Sequence, residues 1–119
     1  MISIGKTIYS LLTDDEIKNV KTKVYPLVIP EGTQLPSIVY ERNGNYEYTK
    51  DGQALATTIV NITVLSEDYA EAIDISEAVS KKLNGYWDAK IFNIKLTSVS
   101  ETFAENAFIQ KLTFQVKSI

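Results

Sequence analysis

The spacing of apolar positions changes period along the chain. Ile4, Ile8, Leu11 and Leu12 recur at i, i+4, i+7 and i+8, which is one face of an amphipathic helix. Thr13 followed by Asp14-Asp15-Glu16 reads as a cap and an acidic first turn, and predicts a second short helical turn with Ile17 and Val20 packed inward. Pro26, Pro30 and Pro36, with Gly32, then divide residues 22–37 into short extended pieces. Proline cannot donate to a ladder, so these pieces belong at a sheet edge or in a connector, with a short strand at Val24-Tyr25. Ser37-Ile38-Val39-Tyr40-Glu41, rich in β-branched and aromatic residues, predicts the next strand.

Residues 55–66 alternate with period two. Thr58, Val60, Ile62 and Val64 share one face, and Ile59 and Leu65 interrupt an otherwise polar opposite face, which predicts partial cover there. Ser66 is placed to cap a helix running from Glu67 to about Asn84. Its stripe is Ala72, Ile75, Val79 and Leu83, flanked by Ile73 and Ala78. Lys81 and Lys82 suit its C-terminal end, and Asn84-Gly85 its stop. Phe92, Ile94 and Leu96 alternate in a further strand. In the last strand Phe108, Leu112, Phe114 and Val116 alternate with Ile109, Lys111, Thr113, Gln115 and Lys117. Between them, residues 98–106 read as polar and turn-rich, with Phe103 as an anchor.

The stretch 43–53 admits two arrangements. Asn43-Gly44 and Asp51-Gly52 are both tight-turn dipeptides, so a short strand at Tyr46–Tyr48 between two hairpins fits, as does one long hairpin with a polar tip. The second is favoured, because a polar tip adds little core. The element order predicts an α+β fold: a mostly antiparallel sheet of four to five strands with two main helices packed on one side, in a single domain spanning 1–119.

Composition narrows the chemistry. The 119 residues contain no cysteine and no histidine, which removes thiolate nucleophiles, cysteine metal sites, the Ser-His-Asp triad and the usual general base at neutral pH. Five scattered glycines make no phosphate-cradling loop. Twelve basic residues against 15 acidic ones give a net charge of −3, unlike a surface built for nucleic acid, so the aromatics Tyr46, Tyr48, Tyr86 and Trp87 near Lys50 and Lys90 read as core or protein interface rather than a base-stacking platform. Glu67, Glu71, Asp74 and Lys81 form a stripe on one helix face, which reads as solvated rather than as converging metal ligands. Asn61-Ile62-Thr63 matches a glycosylation acceptor only by coincidence, being mid-strand. No segment reaches the ~18–20 apolar residues of a membrane span, and residues 1–6 lack the pattern of a signal peptide, so the expectation is synthesis in the cytoplasm and no membrane partner.

The layout also carries a family pattern. The opening helix ends in Leu11-Leu12-Thr13-Asp14. Lys23-Val24-Tyr25-Pro26, Ile29-Pro30-Glu31-Gly32 and Leu35-Pro36-Ser37-Ile38-Val39-Tyr40 follow. Then come a variable loop, the strand 55–66, the helix to Lys82-Leu83-Asn84-Gly85, and the endings Ser98-Val99-Ser100-Glu101-Thr102-Phe103 and Phe108-Ile109-Gln110-Lys111-Leu112-Thr113-Phe114-Gln115-Val116. Over nearly its whole length the chain resembles the small phage tail-completion proteins, also called tail terminators or tail-to-head joining proteins, of long non-contractile-tailed phages and their prophages. The resemblance implies a structural virion protein and not an enzyme, with no cofactor and no metal. It implies α+β subunits that assemble as a ring, commonly hexameric, on the head-proximal end of the tail tube, with the tail tube protein and the head-tail connector protein as partners.

A closed ring needs two different patches on each subunit. The residues point to Tyr46, Tyr48, Lys50 and Asp51 as one patch and to the acidic helix face at Glu71 and Asp74 as the other, tyrosine suiting interfaces through its apolar body and polar tip. A small cytosolic protein-binding adaptor using the same sheet and loop is the alternative. A minor enzyme using carboxylates and tyrosines is the weakest reading, because no convergent site is marked.

Overall fold

The computed structural model describes residues 3–13, 23–48 and 54–119. Helix α1 (Ile4–Leu12) buries Ile4, Ile8 and Leu12, with Leu11 partly buried against the same core. It stops at Thr13, whose backbone N–H and hydroxyl both donate to the Tyr9 carbonyl, at 3.0 and 2.9 Å. The expected second helical turn, with Ile17 and Val20, lies outside the described residues.

Among the described residues, five strands form one sheet: β1 (Lys23–Pro26), β2 (Ser37–Tyr48), β3 (Ala54–Ser66), β4 (Ile91–Ala104) and β5 (Ala107–Ser118), in the order β1-β2-β3-β5-β4. Helix α2 (Tyr69–Leu83) connects β3 to β4. Strand β1 pairs parallel with β2, and every other pairing is antiparallel. Both helices cover one face of the sheet, so the fold is α+β. The core joins Ile4, Ile8 and Leu12 of α1 and Ile75, Val79 and Leu83 of α2 to the alternate positions Ile38, Val60, Ile62, Val64, Leu112, Phe114 and Val116. Period two in the strands and period 3.6 in the helices turn these side chains to one interior.

The register defines two ends. Tyr46, Ala56, Ser118 and Ile91 form a row across four strands at the β2–β3 hairpin end, and Ser37, Leu65, Ile109 and Thr102 form a row near the other. Strands of 12–14 residues make the molecule long in that direction, 51 × 24 × 22 Å.

Several expectations need correction. Asn43-Gly44 is not a turn: both residues lie inside the ladder, opposite Ile59 and Thr58, so residues 43–48 extend β2 as in the single long hairpin. Asp51-Gly52 lies outside the described residues. Helix α2 starts two residues later than read, with Asp68 at its N-cap. Ser66 still serves that end: its Oγ accepts from the Asp68 N–H at 3.1 Å and donates to the Glu71 carboxylate at 2.6 Å. Residues 98–104 are strand rather than turn-rich loop, and the connection to β5 is the two residues Glu105-Asn106 at φ 51° and 62°. Positive φ at both central positions is the signature of the hairpin turn whose twist suits flanking strands. Finally, Phe92 does not join Ile94 and Leu96. A bulge between Ile91 and Asn93 shifts the alternation, burying Ile91 and leaving Phe92 exposed.

The face of the sheet away from the helices holds Val39, Ile59, Asn61, Thr63, Leu65 and Ile109 half-buried. Cross-strand bonds lace it: Thr113 Oγ1 donates to Asn61 Oδ1 at 2.9 Å, and the Lys117 ammonium to Thr57 Oγ1 at 3.1 Å.

Candidate functional site

The first sequence-nominated patch starts on β2. Tyr46 and Tyr48 are two residues apart, so they share the helix-side face of the strand, and their rings stack at 6.3 Å with 23° between planes. Tyr48 is among the most exposed aromatics and Tyr46 is partly covered. Lys50 and Asp51, the other two members, lie outside the described residues. The second patch is on α2. Glu71 and Asp74 are three apart on its exposed side, with the Glu71 carboxylate tied to Ser66. The structure does not bring the two patches together: the tyrosines stand at the β2–β3 hairpin end, whereas the N-terminal half of α2 follows directly from the opposite end of β3. Among the described residues no group of three or more carboxylates is arranged to hold a metal ion.

A third surface escaped the sequence reading. It lies between α2 and the edge strand β4. Ile73 and Glu77 on the helix face Leu96 and Val99 on β4 across Leu112 of β5, lining a mainly apolar open groove of about 260 Å³. At its hairpin end Tyr69, Phe108 and Phe103 form an aromatic run: Tyr69 meets Phe108 edge-on at 5.5 Å, and Phe103 lies 4.9 Å from Phe108. The expected anchor Phe103 is therefore in ring contact yet 58% exposed, because it belongs to an edge strand rather than to a loop folded over the core.

Beside the rings, one carboxylate organises three elements. Glu101 of β4 accepts hydrogen bonds from the Tyr69 hydroxyl of α2 and from the Gln110 side-chain amide of β5, both at 2.8 Å. The Gln110 amide and then the Tyr69 hydroxyl hold the Glu101 carboxyl below the ordinary glutamate value, and donation to Glu101 pushes the Tyr69 hydroxyl up. Gln110, buried at an inward-facing strand position, spends one side-chain N–H on this bond. The signal in the sequence was the alternation Val99-x-Glu101-x-Phe103, hidden by the serines and threonines between them.

The turn after α2 is fixed by a second carboxylate. Asp88 accepts from the backbone N–H groups of Lys90 and Ile91, each at 2.8 Å, and from the Tyr86 hydroxyl at 3.0 Å. These bonds, the Ile91 N–H first, lower its pKa, while burial and then the bond to Asp88 raise that of Tyr86. Trp87, Phe92 and Ile119 remain exposed at this end of the sheet, the end that also carries Tyr48 and Leu55.

No protein-family model matches the chain, and no curated protein matches it. Among solved structures, a chain of the virion of a native gene transfer agent particle has the same fold: TM-score 0.77 at 20% identity, covering 93% of this chain and 90% of that one.

Proposed function

We propose that this chain is a structural virion-assembly subunit whose copies form a ring on the head-proximal end of a tail tube, stop its growth and join the tail to the head connector. The observation that carries the reading is the fold match over about nine-tenths of both chains to a virion component, in a chain whose own residue pattern resembles the tail-completion proteins. The shape of the molecule supports it. The two sheet edges are unlike each other: β1 offers four residues and β4 offers 14. Unlike edges suit the head-to-tail contact that closes a ring, in which one patch meets a different patch on the next copy. On this reading the chain makes and breaks no bond, its partners are itself, the tail tube protein and the connector protein, and it is made in the host cytoplasm before it enters the tail.

The test is deletion of the gene from the genome that carries it, followed by electron microscopy of the lysate. Filled heads beside unattached or overlong tails are expected. Normal virions would refute the role.

A further inference from the structure

A strained point of the backbone lies just past the short edge strand. The Val28 N–H donates to the Pro26 carbonyl at 2.7 Å across Leu27, whose φ is 65°. A hydrogen bond from i+2 to i with positive φ at the central residue is the rare and strained form of the γ-turn. For a leucine this conformation is sterically costly, because its Cβ crowds the neighbouring carbonyl. Burial does not compensate, because Leu27 and Val28 are 71% and 70% exposed, two large aliphatic side chains side by side in solvent. The turn is held from both sides: the Leu27 N–H is bound by the Tyr40 carbonyl at 2.8 Å, and Pro30 follows. A strained conformation that presents apolar side chains outward is the sort of outlier that accompanies function.

On the opposite edge of the same sheet lies the α2–β4 groove. Strands β1 and β4 are separated by four strand intervals, or about 19 Å at the usual ~4.8 Å spacing. The groove, at about 260 Å³, exceeds the roughly 150 Å³ that accommodates a benzene-sized group. Its apolar walls are Ile73, Leu96, Val99 and Leu112. The charges around the two features are complementary. Leu27 shares its surroundings with Lys6, Arg42 and Glu41, with Lys23 exposed on β1 and Glu31 exposed three residues beyond Val28, so three cations outnumber two carboxylates. The groove is lined by Glu77, with Asp74 exposed one turn before it on α2, Lys81 exposed one turn after it and Glu101 on β4, so three carboxylates outnumber one ammonium. Basic flanks on the projecting pair and acidic flanks on the groove favour one orientation of approach and oppose self-pairing of either patch.

We propose that Leu27 and Val28 of one copy seat in the α2–β4 groove of the next copy, making the head-to-tail contact of the ring. The proposal rests on the ring reading and specifies its surface: the acidic side of α2 stays at the interface, and the place of the Tyr46–Tyr48 pair is taken by the γ-turn. A projection on one edge and a groove on the other propagate around a closed circle with no patch left over, as a heterologous contact requires.

The chain contains no cysteine, so introduced thiols report unambiguously. The variant carrying both Leu27→Cys and Val99→Cys, at two exposed positions, is oxidised at high concentration and resolved without reductant. The two positions sit on opposite edges of one copy, too far apart to bond within it. The expected result is a ladder of linked species above the dimer. Each single variant should give no ladder, and an equimolar mixture of the two should give a heterodimer joined between 27 and 99. A control pair, Leu27→Cys with Lys117→Cys on the other face of the sheet, should give none. Absence of the ladder, or an equal ladder from the control pair, overturns the docking. If the parent protein nevertheless forms rings on tail tubes, only the docking surface is lost. If no copies assemble on tubes at all, the ring reading fails with it.

Discussion

Replacing Leu27 by glycine separates folding from assembly, because the two respond with opposite sign. In the isolated subunit the Leu27 side chain is 71% exposed and its backbone is left-handed, at φ 65°. Glycine removes a penalty of about 1–2 kcal/mol for that conformation. It adds back about 0.5–1 kcal/mol through the greater freedom of the unfolded chain. The subunit should therefore be unchanged or stabilised, by up to about 1.5 kcal/mol on these two figures. Association should weaken. Full burial of a leucine side chain contributes about 1.5–3 kcal/mol. With 71% of the residue still available to a partner, the loss is about 1–2 kcal/mol per contact, or roughly 5–30-fold in the association constant. The urea midpoint at unchanged slope reads the first effect, and sedimentation equilibrium of the purified chain reads the second. A midpoint that falls would show that the turn is not strained. An association constant unaltered by the substitution would show that Leu27 anchors nothing.

Other positions test the fold itself. The Thr58 Oγ1 is fully buried with no hydrogen-bond partner among the described residues, so Thr58→Val should raise stability by about 1 kcal/mol, read as a higher urea midpoint; a lower midpoint would mean that the hydroxyl is satisfied. Asp88 has its carboxyl held below the ordinary 3.8, so its contribution is complete above that value and is lost as pH falls below it through the lowered folded-state value. Asp88→Asn keeps an acceptor for the Lys90 and Ile91 N–H groups but carries no charge, so its stability should decline less steeply over that acid range; an identical decline would contradict the linkage. Glu105 adopts φ 51° in the β4–β5 turn, a position that asparagine tolerates better, so Glu105→Asn should add about 0.5 kcal/mol by thermal or urea unfolding, and a loss would refute the turn assignment.

The elements that the sequence made legible are those in which one period runs unbroken to a covered face. Strand β3 and helix α2 are of this kind: Thr58, Val60, Ile62 and Val64 are buried, as are Ala72, Ile75, Val79 and Leu83. Strand β4 was not, for two physical reasons. A bulge turns Phe92 outward, and period counting carries no information about where an extra residue enters the ladder. Beyond Leu96 the strand is an edge, so its side chains need not be apolar, and a row of serines and threonines looks like loop. Asn43-Gly44 left two arrangements open for the opposite reason: its turn chemistry is strong, but pairing with Ile59 and Thr58 overrides it, as the favoured single hairpin requires. At the site, the tyrosine pair and the acidic helix face were legible as types of residue. The Tyr69–Glu101–Gln110 link and the α2–β4 groove were not, because they join positions 32 and nine residues apart that only the register brings together. The γ-turn was hidden as well, since Pro26-Leu27-Val28 carries no glycine to announce a positive φ.

The central claim is that the chain acts by fitting its surface to other copies and to the end of a tube. Its most direct test is electron microscopy of tail tubes assembled in the absence of the chain and then incubated with the purified protein. The account predicts a ring of density at one end of each tube, after which added tube subunits no longer lengthen it there. Tubes with bare ends that continue to grow, or protein bound along their sides, would contradict it.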